Sequence, residues 1–378
     1  MTIESPGASV RPSAVVLGAG LMGRLIAFAL ARRGHAVRIH EAGGADGQGA
    51  AARVAAAMLA PLAESAVTEP PVVRMGHHAL ARWPQLLAEL ADVLGPAAAP
   101  VFFQREGTVI VWHRQDAAEA DRLGRQLRAN QQALPALPAP QALDAAALGA
   151  LEPALRGRFS HGLYLPGEGQ LDNRRLLAAL GEALDRLGVP IDWNSPRAPE
   201  DFPAGAPDAP GWVVDCRGLG ARPQLANLRG VRGEVIRVHA PEVDLRRPTR
   251  LVHPRYPLYI APKEDHLFVI GATEIESEDD SPPSVRSTLE LLSAAYTVHS
   301  GFAEARIVEI ATQRRPALPD NLPALVSPRP GVLQINGLYR HGFMISPALL
   351  DVALEWLDTG RSGLAAAFPL DVPPPPAA

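Results

Sequence analysis

Three glycines near the start of the chain have the spacing that binds a diphosphate. Gly18, Gly20 and Gly23 follow the apolar run Ala14–Leu17 as a Gly-x-Gly-x-x-Gly turn. In such a turn the first glycine makes the tight bend, the second lets the backbone approach the diphosphate, and the third lets the helix pack on the strand. Glu41 lies 18 residues after Gly23, where an acid accepts hydrogen bonds from ribose hydroxyls. The chemistry indicated is the binding of a dinucleotide.

A strand, a helix and a second strand must position these residues, and the sequence predicts all three. Apolar residues predict a strand over 14–17, a helix over 25–30 and a second strand over 36–40 that ends beside Glu41. The N-terminus of that helix, with its free N–H groups, favours an anion at the turn. The predicted contacts with the dinucleotide come from Gly18, Ala19, Gly20, Leu21, Met22, Gly23, Glu41 and Ala42.

A second glycine-bearing turn lies near the end of the chain, over 335–347, directly before a predicted helix over 347–357. A strand, a small-residue turn and a helix N-terminus can place backbone N–H groups against the pyrimidine carbonyl of a flavin. The same pattern also fits an ordinary strand-to-helix connection. Because the chain lacks the mononucleotide repeat that follows the first turn in a typical nicotinamide domain, the pattern favours a flavin over NAD(P).

The rest of the chain predicts mixed helices and strands. An alanine-rich helix is predicted over 50–60, and the next helix, over 72–94, is expected to bend or break at Pro84. Short strands on either side of Gly107 and three β-rich segments give the middle of the chain an antiparallel character; these segments are 231–239, 250–260 (with breaks at Pro254 and Pro257) and 266–271. The prediction is an α/β fold with a parallel dinucleotide-binding sheet and an inserted antiparallel sheet.

Composition argues against several other classes of protein. The chain has 378 residues, a formal net charge of −4 and no Lys/Arg block, which disfavours a nucleic-acid partner. The single cysteine, Cys216, excludes an internal disulfide framework and a multi-cysteine metal site. The histidines lack partners at ligand spacing, so no metal is predicted. With no visible secretory signal and no long apolar window, we expect a cytoplasmic protein without a membrane span.

Five short blocks, in the same order along the chain, resemble the FAD-dependent D-amino-acid-oxidase family. They are the glycine turn with Glu41; 55–61 with Glu64; 162–176; 231–234 with 259–262 and 271–274; and 315–316 and 319–320 with 339–342. Together the blocks extend over nearly the whole chain. Within the family, the chain is most similar to the glycine oxidases that serve thiazole assembly in thiamine biosynthesis. The fold implied is a Rossmann-like FAD-binding domain of the glutathione-reductase type with an interleaved antiparallel-sheet substrate domain.

The resemblance implies FAD as the cofactor and assigns roles to particular residues. Arg340 and Arg315 match the family's two substrate-side arginines, whose planar forks suit a carboxylate, and Tyr259 matches the tyrosine that donates to the same carboxylate. In a regular strand the neighbouring Arg314 points to the opposite face from Arg315. Glu274 and Met58 are expected to line the substrate pocket. Further contacts with the cofactor are expected from Ala57, Met58, Gly218, Gly337, Arg340, His341, Gly342, Phe343 and Met344.

The reaction implied is oxidation of glycine or another small amino acid or amine. Hydride passes from Cα to flavin N5, the imine hydrolyses, and molecular oxygen reoxidises the flavin to give hydrogen peroxide. Because hydride transfer from a neutral amine needs no protein base, we interpret His341 as a neighbour of the flavin. Three alternatives stay open: a flavin dehydrogenase with a quinone or protein acceptor, an NAD(P)-dependent reductase, and a catalytically silent flavin-binding homologue. The expected partners are an amino-acid or amine substrate, oxygen, and further copies of the chain in a homo-oligomer.

Several positions depart from the usual residues of the family. Glycine is frequent where Ala57 stands, proline where Asn173 stands, and asparagine where His341 stands. Gln313 and Arg314 replace the glycine and apolar residue that commonly precede the Arg-Pro pair, and 323–326 replaces the usual Pro-Ile-Ile-Gly.

The predicted domains are discontinuous along the chain. The FAD-binding domain is expected to comprise residues 10–80, 150–222 and 310–365. The substrate-binding domain is expected to comprise 81–149 and 223–309, and residues 366–378 form a tail.

Overall fold

A computed structural model describes residues 12–253 and 258–374. The start of the predicted 10–80 segment, the predicted breaks at Pro254 and Pro257, and the end of the predicted tail lie outside the described residues. The described strands are β1 (Ala14–Leu17), β2 (Val37–His40), β3 (Met58–Leu59), β4 (Phe103–Gln104), β5 (Thr108–Trp112), β6 (Gln141–Asp144), β7 (His161–Leu165), β8 (Gly169–Leu171), β9 (Ile191–Asp192), β10 (Trp212–Asp215), β11 (Arg229–His239), β12 (Thr249–Val252), β13 (Leu258–Pro262), β14 (Leu267–Gly271), β15 (Arg306–Ala317), β16 (Ala324–Val326) and β17 (Val332–Asn336). The described α-helices are α1 (Leu21–Arg32), α2 (Ala51–Val54), α3 (Pro61–Glu64), α4 (Pro70–Leu94), α5 (Ala117–Ala133), α6 (Ala145–Leu151), α7 (Asn173–Arg186), α8 (Val285–Val298), α9 (Gly342–Thr359) and α10 (Gly363–Ala367).

The glycine turn belongs to a six-stranded sheet with the order β16-β17-β10-β1-β2-β9, as far as the described residues go. β1 pairs in parallel with β2 on one side and with β10 on the other, while the edge strand β16 is antiparallel to β17. The predicted β1-α1-β2 unit is therefore confirmed, and α1 is longer than the predicted 25–30 because it starts directly after the turn.

The second large sheet has the order β15-β11-β14-β13-β12-β5-β7-β6 over the described parts of the chain. Its pairs are antiparallel except that β12 and β5 run in parallel. A small sheet, β3-β8-β4, completes the β-structure of the same residues. The predicted α/β fold, in which a parallel sheet and an antiparallel sheet alternate along the chain, is confirmed. The domain boundaries given above remain a prediction.

Two hydrophobic cores accompany the two large sheets. The larger core contains the fully buried Trp83 and Trp356 from α4 and α9, together with Phe28 from α1. The second core joins the antiparallel sheet to α8, and in it the rings of Phe268 and Phe302 meet edge to face with centroids 5.3 Å apart. Within residues 12–253 and 258–374, no helix has the length and apolarity needed to cross a membrane.

The predicted alanine-rich helix over 50–60 is wrong. The segment instead forms the short helix α2 and the strand β3, and it ends at Ala60, the N-cap residue of α3. Ala57 has a positive φ of 53°, which a continuing right-handed helix cannot contain. The buried Lys263 ammonium donates to the Ala56 and Leu171 carbonyls, each at 2.9 Å, and so fixes the segment against β8. Helix propensity is therefore overridden by pairing with residues more than 100 positions away.

Two prolines that were predicted to limit helices, Pro84 and Pro347, lie inside them. Of the predicted bend or break at Pro84, the break is wrong, because α4 runs through this residue. α9 starts at Gly342 rather than at the predicted residue 347. Pro347 has no N–H to offer the carbonyl of Phe343, one turn earlier. The Trp83 indole nitrogen donates to that carbonyl at 2.9 Å instead. A side chain from α4 thus satisfies the group that proline leaves free in α9.

Asn173, at the first position of α7, connects the two sheet systems. Its side chain is completely buried, and its amide nitrogen donates to the carbonyls of Ala52 at 2.7 Å and Arg53 at 2.9 Å. Its carbonyl oxygen accepts a 2.8 Å hydrogen bond from the buried Arg237 on β11. Every hydrogen-bonding atom of the Asn173 amide group thus has a partner, and the α2 segment, α7 and β11 meet at one residue.

Replacing Asn173 with alanine is expected to lower the free energy of unfolding by about 3 kcal/mol or more, because it leaves a buried arginine and two carbonyls short of partners. Urea unfolding of the purified variant checks this value. Asn173→Asp is the comparison variant, since it keeps an acceptor for Arg237 but sets a carboxylate oxygen against the two carbonyls that accepted from the amide. We expect an intermediate loss for it. A loss below about 1 kcal/mol for the alanine variant would show that water replaces the network.

Candidate active site

A cleft of about 500 Å³ runs from the glycine turn to the residues that follow β17. All the predicted site residues line it except Gly23 and Gly337. Those that line it are Gly18, Ala19, Gly20, Leu21, Met22, Glu41, Ala42, Ala57, Met58, Gly218, Tyr259, Glu274, Arg315, Arg340, His341, Gly342, Phe343 and Met344. Residues far apart in the sequence therefore meet in one cavity.

At one end of the cleft the three glycines of the turn meet different steric demands. Gly18 has a positive φ of 93°, and a Cβ atom there would lie 2.8 Å from the Cys216 carbonyl oxygen. A Cβ atom on Gly23 would lie 1.9 Å from the carbonyl oxygen of Gly18, so this glycine lets α1 pack on the turn. A Cβ atom on Gly20 would meet nothing within 4 Å. Gly20 thus faces open space at the N-terminus of α1, where no side chain caps the helix.

Glu41 holds the turn in shape as well as facing the cleft. One carboxylate oxygen accepts from the Ala19 N–H at 2.6 Å, and the other accepts from the Gly43 N–H at 2.8 Å. Because each carboxylate oxygen can accept more than one hydrogen bond, the group retains acceptor capacity for hydroxyls. The sequence pattern predicted that Glu41 faces the cleft, but it gave no sign that Glu41 also holds the turn in shape.

The predicted contact from Gly337 has no counterpart in the lining of the cleft. Gly337 has a positive φ of 74°, and a Cβ atom there would lie 2.9 Å from the Leu318 side chain and 3.0 Å from the Leu322 carbonyl oxygen. It therefore serves the tight turn after β17. The adjacent backbone from Leu338 to Met344 does line the cleft.

Two residues of the cleft other than glycine lie in the left-handed backbone region. They are Ala57, with φ 53°, and Tyr339, with φ 51°. This conformation costs an L-residue about 1–2 kcal/mol and is often found where a site requires a particular backbone path. For Ala57, the conformation accounts for the frequent glycine at this position in the family that the sequence resembles.

At the other end of the cleft Arg340 lies between two carboxylates. Its Nε atom is 3.2 Å from an oxygen of the buried Glu64, and its Nη1 atom donates to the half-exposed Glu274. The Tyr339 hydroxyl also donates to Glu274, at 2.5 Å. The negative charge of Glu64 raises the pKa of Arg340 above its ordinary value. Of the two arginines predicted to bind the substrate carboxylate, Arg340 thus already pairs with two acids of the protein, Glu64 and Glu274.

Glu64 and Arg250 are members of the site that the sequence did not single out for it. Arg250 donates to the Glu64 carboxylate, and the His341 ring nitrogen Nδ1 lies 3.6 Å from the same group. Burial alone would raise the pKa of Glu64, but Arg340 and Arg250 outweigh burial and hold it well below its ordinary value. Glu64 is therefore a fixed negative charge. Its place after the 55–61 block was the available signal, whereas nothing in the β12 sequence marks Arg250.

Arg315 lines the cleft without a carboxylate partner among the described residues and has an unused donor. Its Nη2 atom donates to the Thr273 carbonyl at 3.1 Å, and its Nη1 atom is buried with no hydrogen-bond partner among the described residues. The backbone of Gly233 makes room for it, since a Cβ atom there would lie 2.2 Å from Nη2. The partly buried Tyr259 shares this part of the cleft, and desolvation raises the pKa of its hydroxyl. A buried N–H without a partner is the feature expected where an anion binds.

Arg314 has different partners from Arg315. Its guanidinium lies 3.2 Å from an Asp280 carboxylate oxygen, and it donates to the Glu278 carbonyl at 3.2 Å. Of the two neighbouring arginines, Arg315 is therefore the one left without a carboxylate in the described residues, as the strand alternation predicts.

His341 is buried beside Glu64, and burial lowers its pKa to about 4. The imidazole is therefore neutral at pH 7. Between its ordinary pKa of 6.5 and this value, the unfolded chain takes up a proton that the folded chain does not. Stability due to His341 is thus present above pH 6.5 and is lost as the pH falls toward 4.

We expect the free energy of unfolding to fall by about 2 kcal/mol more in the wild type than in His341→Asn between pH 7.5 and pH 5. Glu168, whose pKa burial raises to about 7, acts in the opposite direction over this range in both proteins. The difference between the two proteins therefore isolates His341. Urea unfolding at the two pH values measures it, and equal slopes would mean that His341 is charged in the folded state.

The residues of the cleft fit FAD. The open space at Gly20, the uncapped N-terminus of α1 and the acid Glu41 match a diphosphate joined to a ribose. The backbone that starts α9, from His341 to Met344, lines the opposite end, where N–H groups of a helix N-terminus favour an electron-rich carbonyl.

Comparison with known proteins gives consistent matches over most of the chain. The sequence model of the FAD dependent oxidoreductase (DAO) family matches residues 13–353. A putative thiamine biosynthesis oxidoreductase ThiO of Rhizobium etli is 40% identical over 336 residues, which cover 89% of this chain and 93% of that protein. A glycine oxidase of Geobacillus kaustophilus is 30% identical over 362 residues, covering 89% of this chain and 90% of that one. The crystal structure of glycine oxidase from Geobacillus kaustophilus has a TM-score of 0.78 at 25% identity and covers 95% of this chain and 98% of that chain.

Proposed function

This chain belongs to the FAD dependent oxidoreductase family of the D-amino-acid-oxidase type, and we propose that it oxidises glycine or another small amino acid or amine. The observation that carries the proposal is the buried Nη1 atom of Arg315, which has no hydrogen-bond partner among the described residues and lies in the same cleft as Tyr259. The similarity to a glycine oxidase of Geobacillus kaustophilus supports an amino-acid substrate. The same cleft contains the dinucleotide-binding turn and the two side chains proposed to bind the carboxylate, Arg315 and Tyr259.

In the proposed reaction the protein acts by binding and orientation. The Arg315 fork binds the substrate carboxylate, and the Tyr259 hydroxyl donates to the same group, so that the substrate lies in one orientation. When bound, FAD would supply the electron acceptor for oxidation of the substrate at Cα, and molecular oxygen would take up the electrons as hydrogen peroxide. The neutral His341 takes no proton, because the substrate amine is already unprotonated when it reacts. The released imine hydrolyses in water.

The name of the Rhizobium etli relative supports a place in thiamine biosynthesis. As part of the proposal, the product is the imine of glyoxylate, which is used in assembly of the thiazole ring. Oxygen as the electron acceptor and the predicted homo-oligomer also belong to the proposal. Light scattering of the purified protein tests the oligomer.

The test is the visible spectrum of the purified protein followed by reaction with an amine panel. We expect a yellow protein whose flavin bands bleach without oxygen when glycine, sarcosine or D-alanine is added, and hydrogen peroxide under air. Bleaching without peroxide, together with reduction of a quinone, would favour a dehydrogenase. Flavin bands that no amine bleaches would favour a silent homologue.

A further inference from the structure

Glu274 covers the outer side of the Arg340 guanidinium. Glu64 holds the inner side and is almost fully buried, whereas the Glu274 side chain is 46% exposed and faces the cleft. The two acids therefore differ in access: a ligand entering the cleft meets Glu274 before it reaches the Nη1 atom of Arg340.

The position of Glu274 is fixed from both sides by β11. Thr273 donates its N–H to the Glu234 carbonyl at 3.2 Å, and Glu234 donates its own N–H to the Thr273 hydroxyl at 3.0 Å. On the other side, Ile275 and Arg232 exchange backbone hydrogen bonds of 3.0 and 2.8 Å. With the Tyr339 hydroxyl as a third restraint, the carboxylate is pre-organised against Arg340.

The charges at this end of the cleft leave one cation uncompensated. Arg250, Arg315 and Arg340 line this end of the cleft, and the carboxylates of Glu64 and Glu274 lie beside them. Arg314 also lines the cleft, but it pairs with Asp280. Glu64 is shared by Arg250 and Arg340, and Glu274 pairs with Arg340, so Arg315 has no carboxylate partner in the described structure. A single carboxylate on the ligand completes the balance. A second carboxylate would lie beside Glu274, and two like charges in a partly desolvated site repel each other.

We propose that Glu274 is a specificity-determining residue, which holds the outer side of Arg340 and so restricts the pocket to substrates with one carboxylate. The inference rests on the proposed function, because it takes an amino acid as the substrate. Removing the charge of Glu274 opens a second anion-binding position at Arg340 and leaves the first, at Arg315, in place.

The experiment measures binding of acetate and malonate to the FAD-bound protein through the change in the flavin absorption spectrum. Malonate carries the second carboxylate that acetate lacks, and neither compound is an amine. In the wild type we expect malonate to bind no more tightly than acetate. In Glu274→Gln we expect the Kd of malonate to fall by about tenfold, the gain from one partly exposed ion pair, while the Kd of acetate changes by less than about threefold. Glu274→Met, which removes the same charge with an apolar side chain, is expected to give the same shift.

The matched control is Glu276→Gln, which removes an acid two residues away in the same loop. The Glu276 side chain is 65% exposed and pairs with Arg229 outside the cleft. If both glutamine variants shift the acetate-to-malonate ratio equally, the effect comes from net charge and the proposal is overturned. An unchanged ratio in Glu274→Gln and Glu274→Met overturns it as well. Failure of the wild type to oxidise any amine would contradict the proposed function, but the ratio of the two inert ligands would still decide the role of Glu274.

Discussion

Replacing Arg315 with alanine is expected to lower kcat/KM for the amino-acid substrate by about 10²–10³-fold, the usual cost of losing a buried charge-assisted pair. The Nη1 atom of Arg315 is a buried donor without a partner among the described residues, so the substrate carboxylate would lose its main contact. Most of the loss should appear in KM if the contact is the same in the ground state and the transition state. Anaerobic flavin reduction at several glycine concentrations measures both constants.

Two comparison variants make the Arg315 result specific. Arg315→Lys keeps the charge but loses the planar fork, so an intermediate loss is expected. Arg314→Ala removes the neighbouring guanidinium, which pairs with Asp280, and should cost less than about tenfold. Retention of substrate binding in Arg315→Ala, with loss in Arg340→Ala, would move the carboxylate-binding role to Arg340. Unchanged turnover of every amine in Arg340→Ala would mean that Arg340 does not contribute to carboxylate binding.

The second large effect is expected from replacing two glycines of the turn, Gly23 and Gly20: the first replacement should reduce stability and the second should weaken FAD binding. Gly23→Ala places a Cβ atom 1.9 Å from a backbone oxygen, so we expect unfolding or a stability loss of about 4 kcal/mol or more. Gly20→Val fills space that is empty in the protein, and Gly20 has the extended φ of −71° and ψ of −170° that valine adopts. Apoprotein stability should change by only about 1 kcal/mol, while the Kd of FAD should rise at least about 100-fold, because the side chain occupies the approach to the diphosphate.

Thermal unfolding of the apoproteins and titration with FAD separate these outcomes. Gly363→Val is the reference for replacement of an exposed glycine outside the cleft, because a Cβ atom there would meet only a Glu355 side-chain oxygen, at 3.7 Å. If Gly20→Val binds FAD as tightly as the wild type, the diphosphate does not lie at this turn.

The parts of the fold that depend on local interactions were predictable. β1, α1 and β2 follow from an apolar run, a glycine turn and a second apolar run, all within 27 residues. The antiparallel character of the middle of the chain was also predictable, because β-rich segments follow one another there without the long crossover connections that parallel strands need. The helix over 50–60 was wrong since the conformation of Ala57 and the pairing of β3 depend on β8 and Lys263, which are distant in sequence.

The sequence by itself determined the dinucleotide-binding turn at one end of the cleft and the types of the charged residues at the other end. Steric rules for three glycines and one acid are local, so their spacing is sufficient to predict a dinucleotide site. Only the tertiary structure decided which of Arg315 and Arg340 has no carboxylate partner among the described residues. Glu64, Arg250, Glu274, Arg315 and Arg340 come from five separate parts of the chain, and their pairing depends on distances that spacing does not encode. Arg340 and Arg315 look alike in the sequence, and the two carboxylates beside Arg340 are what distinguish them.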